Sequence, residues 1–165
     1  MKQLSKTLNL LIFTLLLTTG GYTMAQDSTI NQSQLNKQRL ADFGAEVFGR
    51  KDLSNLQKYI QEDYIQHNPL VPQGAKGFRT FFSDWFNAVP DWNYTLNKIV
   101  SEGDTVWAYG TYSGTHKGEW LGIPATNQTY SIQAVDIFRI ENGKLAEHWD
   151  VMDTYGLFKQ LGVLK

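Results

Sequence analysis

"VDIFRIENGKLAEHWDVMD", Val135 to Asp153, decides how this chain folds. Two runs rich in β-branched and aromatic residues flank Glu141-Asn142-Gly143, so the stretch reads as strand, turn, strand, with strands expected at 130–140 and 144–152. Residues two apart in a strand point the same way, so His148 and Asp150 share one face with Ala146 and Met152. A titratable pair on one face means that the face is wet or that it lines a cavity. The turn sets what lies opposite. A two-residue Asn142-Gly143 turn pairs Glu141 with Lys144 and sets Asp136 opposite Trp149, whereas a three-residue loop with Gly143 left-handed sets Asp136 opposite His148. Periodicity alone leaves both open.

The same period of two predicts further strands at 92–101 and 105–116, joined by the turn "EGD". Upstream the period is helical. Leu40, Phe43, Val47 and Phe48 predict an amphipathic helix ending near Gly49, preceded by a polar tail over 26–39. "KDLSNLQKYI" (51–60) predicts a short second helix with Asp52 as N-cap and Leu53, Leu56 and Ile60 inward. His67-Asn68-Pro69 breaks the chain. Phe78, Phe81, Phe82, Trp85, Phe86 and Val89 form the plainest stripe, a third helix that must pack across a sheet. "KGEWLGIPATNQT" (117–129) is a long loop, and long loops in compact domains are often functional. Asp153 and Thr154 are placed to cap a C-terminal helix. Helices first and an antiparallel sheet afterwards make the class α+β.

The chain has 165 residues, 42% hydrophobic and 19% charged, the profile of one globular domain. Lys2 and Lys6 precede the apolar run "LNLLIFTLLL" and a small-residue end "TMA", the order of a secretory signal peptide cleaved after Ala25. That run of about ten residues is shorter than the roughly 20 that span a bilayer. A secreted or periplasmic protein, free of the membrane once cleaved, is therefore expected. Without Lys2 and Lys6, 13 basic residues face 16 acidic ones, a net charge of −3. A nucleic-acid or anionic-membrane partner would call for a basic face. No cysteine is present, which removes disulfides, thiolate nucleophiles and thiolate metal sites. The three histidines lack the spacing of a zinc motif, so no metal is expected, and no phosphate loop, GxSxG elbow or GxGxxG occurs. N-x-S/T sequons stand at Asn31, Asn93 and Asn127.

"YIQHNP" (64–69), "EGD" (102–104), "GTHKGEWLGIPAT" (114–126), "VDIFRIENGK" (135–144) and "EHWDVMDTYGLFKQLG" (147–162), in this order and spacing, resemble the SnoaL-like polyketide cyclases of the nuclear-transport-factor-two-like superfamily. The resemblance covers 40–165. It implies a cone, a curved antiparallel sheet wrapped around N-terminal helices with an internal cavity. It favours the three-residue loop, with Asp136 and His148 as cross-strand neighbours and Asp150 diagonal. Cyclases of this kind close rings by an aldol reaction without metal or organic cofactor, with the residue matching Asp150 as acid/base. The resemblance therefore implies Asp150 as proton carrier, His148 as its orienting partner and Asp136 protonated or paired to His148, acting on an apolar carbonyl compound. A buried hydrogen-bonded network that fixes the sheet is the competing reading of the same three residues. A partly desolvated carboxylate beside a histidine is what acid–base chemistry near neutral pH requires.

Further ligand contacts are expected at Phe138 and Met152 on the inward faces, and at His67 and Asn68 where the chain enters the mouth. Asn68 stands where the superfamily's ketosteroid isomerases carry an aspartate base, and Gly44 where they carry a tyrosine, which argues against their route. Asn68 is equally suited to capping its turn. His116 reads as a rim residue, and Trp120 with Leu121 as a lid or as a staple for the loop. Trp92, Tyr94, Trp107 and Tyr109 are expected on the outer face, where an aromatic patch favours a homodimer. The alternatives to an enzyme are a non-catalytic pocket protein for an apolar small molecule and a dimeric interaction module, since fold alone does not choose a function.

Overall fold

A computed structural model describes the backbone of residues 19–164 and the side chains of 31–164. The expected signal peptide, 1–25, lies mostly outside the described residues. The chain forms α1 (Thr19–Phe43) continued by a π-helical turn (Gly44–Gly49), a 3-10 turn (Leu56–Lys58), β1 (Ile60–Gln66), α2 (Gly74–Ala88), β2 (Asn93–Glu102), β3 (Thr105–Thr115), β4 (Thr129–Glu141), β5 (Lys144–Met152) and α3 (Thr154–Gln160). The class is α+β, with a curved, unclosed sheet. Its strand order is β1-β5-β4-β3-β2.

Two expectations about the N-terminal half change. The segment 26–39 is helical, because no glycine or proline interrupts 22–43. Asn36, buried in this helix, ties it to the β2–β3 turn by donating to Gly103 O at 3.2 Å. The second expected helix is only a 3-10 turn, and Ile60–Gln66 is an edge strand parallel to β5, so the sheet is mixed. Its burial pattern explains the misreading: Ile60, Tyr64 and Gln66 are buried, but a bulge between Ile60 and Ile65 breaks the alternation. Gln73 guards this edge, accepting from Gln66 N at 2.9 Å and donating to Gln66 O at 2.6 Å.

The aromatic stripe of α2 lies on the concave face of the sheet, as its spacing requires, with Phe78, Phe81, Phe82, Trp85 and Phe86 all buried. Rings from the π-helical turn and β2 complete this core, Phe48 standing 5.1 Å from Phe82 and 5.3 Å from Trp92.

Two bulges set which side chains face inward. The β4–β5 turn is the two-residue form: Glu141 pairs with Lys144, and Asn142 and Gly143 both take positive φ, 52° and 72°. The three-residue loop is therefore incorrect. That turn alone would set Asp136 opposite Trp149, but an extra residue on β5, Ala146, shifts the register between Ile140 and Arg139. Asp136 then lies opposite Asp150, and Phe138 opposite His148. A second shift, between Leu96 and Lys98, inverts β2. Trp92 is thereby buried and Tyr94 faces the interior, correcting their expected outward placement, while Trp107 remains exposed at 46%. Among the described residues no helix is long and apolar enough to cross a membrane.

Candidate active site

Asp136, His148 and Asp150 converge on the concave face. Asp136 and His148 are buried and Asp150 is partly exposed. The strand geometry brings in partners that the sequence pattern did not reveal. His148 is the register partner of Gln66 on β1, and its Nδ1 lies 2.9 Å from Gln66 Oε1. The same Oε1 accepts from Asn68 N at 2.9 Å, a group that can only donate. The amide oxygen is thus fixed in place, and Nδ1 must carry a hydrogen. His148 Nε2 then points toward Asp136 Oδ1 at 3.4 Å. The other oxygen of Asp136 accepts from Tyr112 OH at 3.0 Å. Asp150 Oδ2 accepts from Asn68 Nδ2 at 2.6 Å, while Asn68 Oδ1 accepts from Leu70 N at 2.9 Å. Asn68 therefore both caps its turn and holds the carboxylate.

Three tyrosines surround these groups. Burial, and then the charges of Asp136 and Asp150, push the Tyr64 hydroxyl well above its ordinary pKa. Tyr112 is raised by burial and next by Asp136, and Tyr94 in the same way. Tyr64 and Tyr94 hydroxyls are buried without a well-formed hydrogen bond among the described residues. Tyr64 and Gln66 escape the sequence reading because no strand is expected over 60–66, where their alternation is the available signal, and Tyr112 because the strand pattern of 105–116 does not tell which face turns inward.

The interior hollow is divided. A chamber of about 30 Å³ is lined by Phe48, Phe82, Asp136, Phe138, His148 and Asp150, with Met152 at its edge. It has room for one or two waters. A cleft of about 240 Å³ lies between the π-helical turn and β2–β3 and shares Phe48, Asp136 and Phe138 with the chamber.

The remaining candidates lie elsewhere. His67 is on the outer face, stacked 4.8 Å from Trp149, with its Nε2 2.8 Å from Glu147 Oε1. The first residue of the strand-break tripeptide thus points away from the mouth. Hydrogen bonds from His67 and Arg139 hold the Glu147 carboxyl below its usual pKa. His116 is fully buried rather than at the rim, and its pKa is lowered by that burial. Trp120 is a staple: it is buried and stacks on Trp85 at 4.7 Å, while Leu121 stays exposed.

Donor atoms of Asp136, His148 and Asp150 lie within 4.8 Å of one another, one nitrogen and two oxygens that could face a divalent cation. An ion held tetrahedrally about 2.1 Å from each would set the donors roughly 3.4 Å apart.

Comparison with known proteins identifies the family. The profile of the SnoaL-like polyketide cyclases matches residues 38–161. The nogalonic acid methyl ester cyclase of Streptomyces nogalater is 32% identical over 119 residues, 69% of this chain and 87% of that protein. The aklanonic acid methyl ester cyclase DnrD of Streptomyces peucetius is 28% identical over 107 residues, 64% of this chain and 72% of its own. The solved structure of TsrD from Streptomyces laurentii superposes with a TM-score of 0.73 at 38% identity, covering 79% of this chain and 97% of that one. The chain belongs to the SnoaL-like polyketide cyclase family.

The Gln66 contact yields a direct check. ¹⁵N NMR of His148 is expected to show an Nδ1–H ring. Gln66→Met removes the acceptor shared by two buried donors, so it is expected to cost about 1–3 kcal/mol in urea unfolding and to release the ring to a mixture of tautomers. An Nε2–H ring in the unaltered protein contradicts the assignment.

Proposed function

We propose that this member of the SnoaL-like polyketide cyclase family performs acid–base catalysis, without metal or organic cofactor, on an apolar carbonyl compound, with Asp150 as the proton carrier. One observation supports this most. Asp150 is the most accessible of the three converging groups, and Asn68 holds one of its oxygens while the other has no hydrogen-bond partner among the described residues. A fixed carboxylate with one free oxygen is suited to remove a proton next to a carbonyl. The resulting enolate carbon attacks a second carbonyl of the same molecule. A carbon–carbon bond forms, the carbonyl π pair moves to oxygen, and that oxygen takes the proton back from Asp150.

Asp136 faces Asp150 directly, and two like charges in a partly dry site oppose each other. The contacts of Asp136 with His148 Nε2 and with Tyr112 OH answer that opposition. His148 and Asp136 act as positioning residues that set the electrostatics around Asp150. The narrow chamber favours a second reading, a pocket that carries an apolar molecule without converting it. The order of residues 1–25 supports export of either kind of protein.

The outer face supports a homodimer. Val100, Trp107, Ile137 and Trp149 are successive register partners across four strands, and Val151, at 71% exposure, lies beside them. An apolar row of this kind is seldom left uncovered.

Asp150→Asn is expected to slow deuterium uptake next to the carbonyl, measured across a panel of aryl β-keto esters, by roughly 10²- to 10⁴-fold with the far-ultraviolet spectrum unchanged. An unchanged rate removes Asp150 from the role, and no uptake with the unaltered protein leaves the carrier reading. Sedimentation at micromolar concentration is expected to show a dimer that Trp107→Lys dissociates; a monomer throughout refutes the interface.

A further inference from the structure

The larger of the two interior spaces carries information about what the protein binds. Its wall is built from Leu40, Phe43, Phe48, Leu96 and Ala108, with Tyr94 and Asp136 as the polar groups. Gly44 opens it further: a Cβ built at this position meets nothing within 4 Å. The ring of Tyr94 lies flat over Gly110, where a Cβ would stand 2.3 Å from it, so the lack of a side chain at 110 fixes where the phenol sits. Its hydroxyl is buried and faces the Asp136 carboxylate. A phenol and a carboxylate at one side of an otherwise apolar cleft are the few polar groups that can orient a ligand oxygen.

Size narrows the ligand. An apolar cavity of about 150 Å³ takes benzene, and drug-sized ligands occupy about 300 Å³ or more. At about 240 Å³ the cleft falls between these. The adjoining chamber, about 30 Å³, has room only for a few atoms between Asp136 and Asp150. Phe48 belongs to both walls and is packed against Phe43, Phe82 and Trp92, so it partitions the two spaces.

We propose that the cleft between the π-helical turn and β2–β3 binds the apolar body of a one- or two-ring carbonyl compound, whose oxygen accepts from Tyr94 OH. Its reactive end passes Phe48 into the carboxylate chamber. This assignment rests on the acid–base reading of the site and gives it a substrate class. Tyr94 and Gly44 are then specificity-determining positions, one for the oxygen and one for the ring system.

The test is fluorescence titration of the full chain with prodan, a dimethylamino-naphthyl ketone whose emission shifts to the blue in apolar surroundings. Saturable one-site binding is expected, displaced by acetylnaphthalene and not by progesterone, a four-ring ketone. Gly44→Leu fills the cleft with a better helix former, so the protein is expected to melt no lower while affinity falls roughly 10- to 100-fold. Tyr94→Phe is expected to weaken binding roughly 3- to 10-fold. The proposal is overturned if the unaltered protein does not bind the probe, if Gly44→Leu binds it equally well, or if progesterone displaces it as readily as acetylnaphthalene. If binding follows these expectations and no deuterium uptake occurs with any ketone, the cleft assignment stands and the acid–base reading falls.

Discussion

Two carboxylates, Asp136 and Asp150, face each other across β4 and β5 because one extra residue, Ala146, interrupts the pairing. Without that bulge Asp136 would face Trp149, and its charge would be separated from Asp150 by the sheet. With it, two like charges share the dry side, and everything nearby answers that constraint. Tyr112 donates to Asp136, Asn68 donates to Asp150, and Gln66 turns the imidazole of His148 so that Nε2 points toward Asp136. Burial also sets the opposite demand on the phenols, which stay protonated and available as donors.

The edge strand β1 links the site to the rest of the fold. Gln66 is the backbone partner of His148, and Gln73 at the start of α2 closes the free edge around it. The helix whose aromatic face fills the cone thus also steadies the amide that orients the histidine. The same aromatic core limits the site. Phe48, carried on a π-helical turn, and Phe82 leave the carboxylates little free space, and the larger hollow lies beyond Phe48. Such turns within helices are frequent at functional sites.

The inward face of β5 was legible because His148, Asp150 and Met152 alternate without interruption, and α2 because its six aromatic and aliphatic positions keep helical spacing. The register of β4 against β5 was not. Ala146 is small and apolar, as either an inward residue or a bulge, and nothing local distinguishes the two. Parity was lost on β2 for the same reason, which sent Tyr94 and Trp92 to the wrong face. His67 is expected at the mouth because the chain breaks at His67-Asn68-Pro69, with no strand foreseen over 60–66: once β1 is a strand, His67 continues it one residue past Gln66 and points outward. His116 looked like a rim residue because it borders a polar loop, yet Trp120 folds that loop back onto Trp85 and buries it.

The central claim is that Asp136 and Asp150 form one electrostatic unit. A double-mutant cycle on unfolding free energy, built from Asp136→Asn, Asp150→Asn and the pair at neutral pH, measures this directly. An interaction energy of about 1 kcal/mol or more is expected for facing groups in one network, whereas additivity within about 0.3–0.5 kcal/mol would show that they act as strangers.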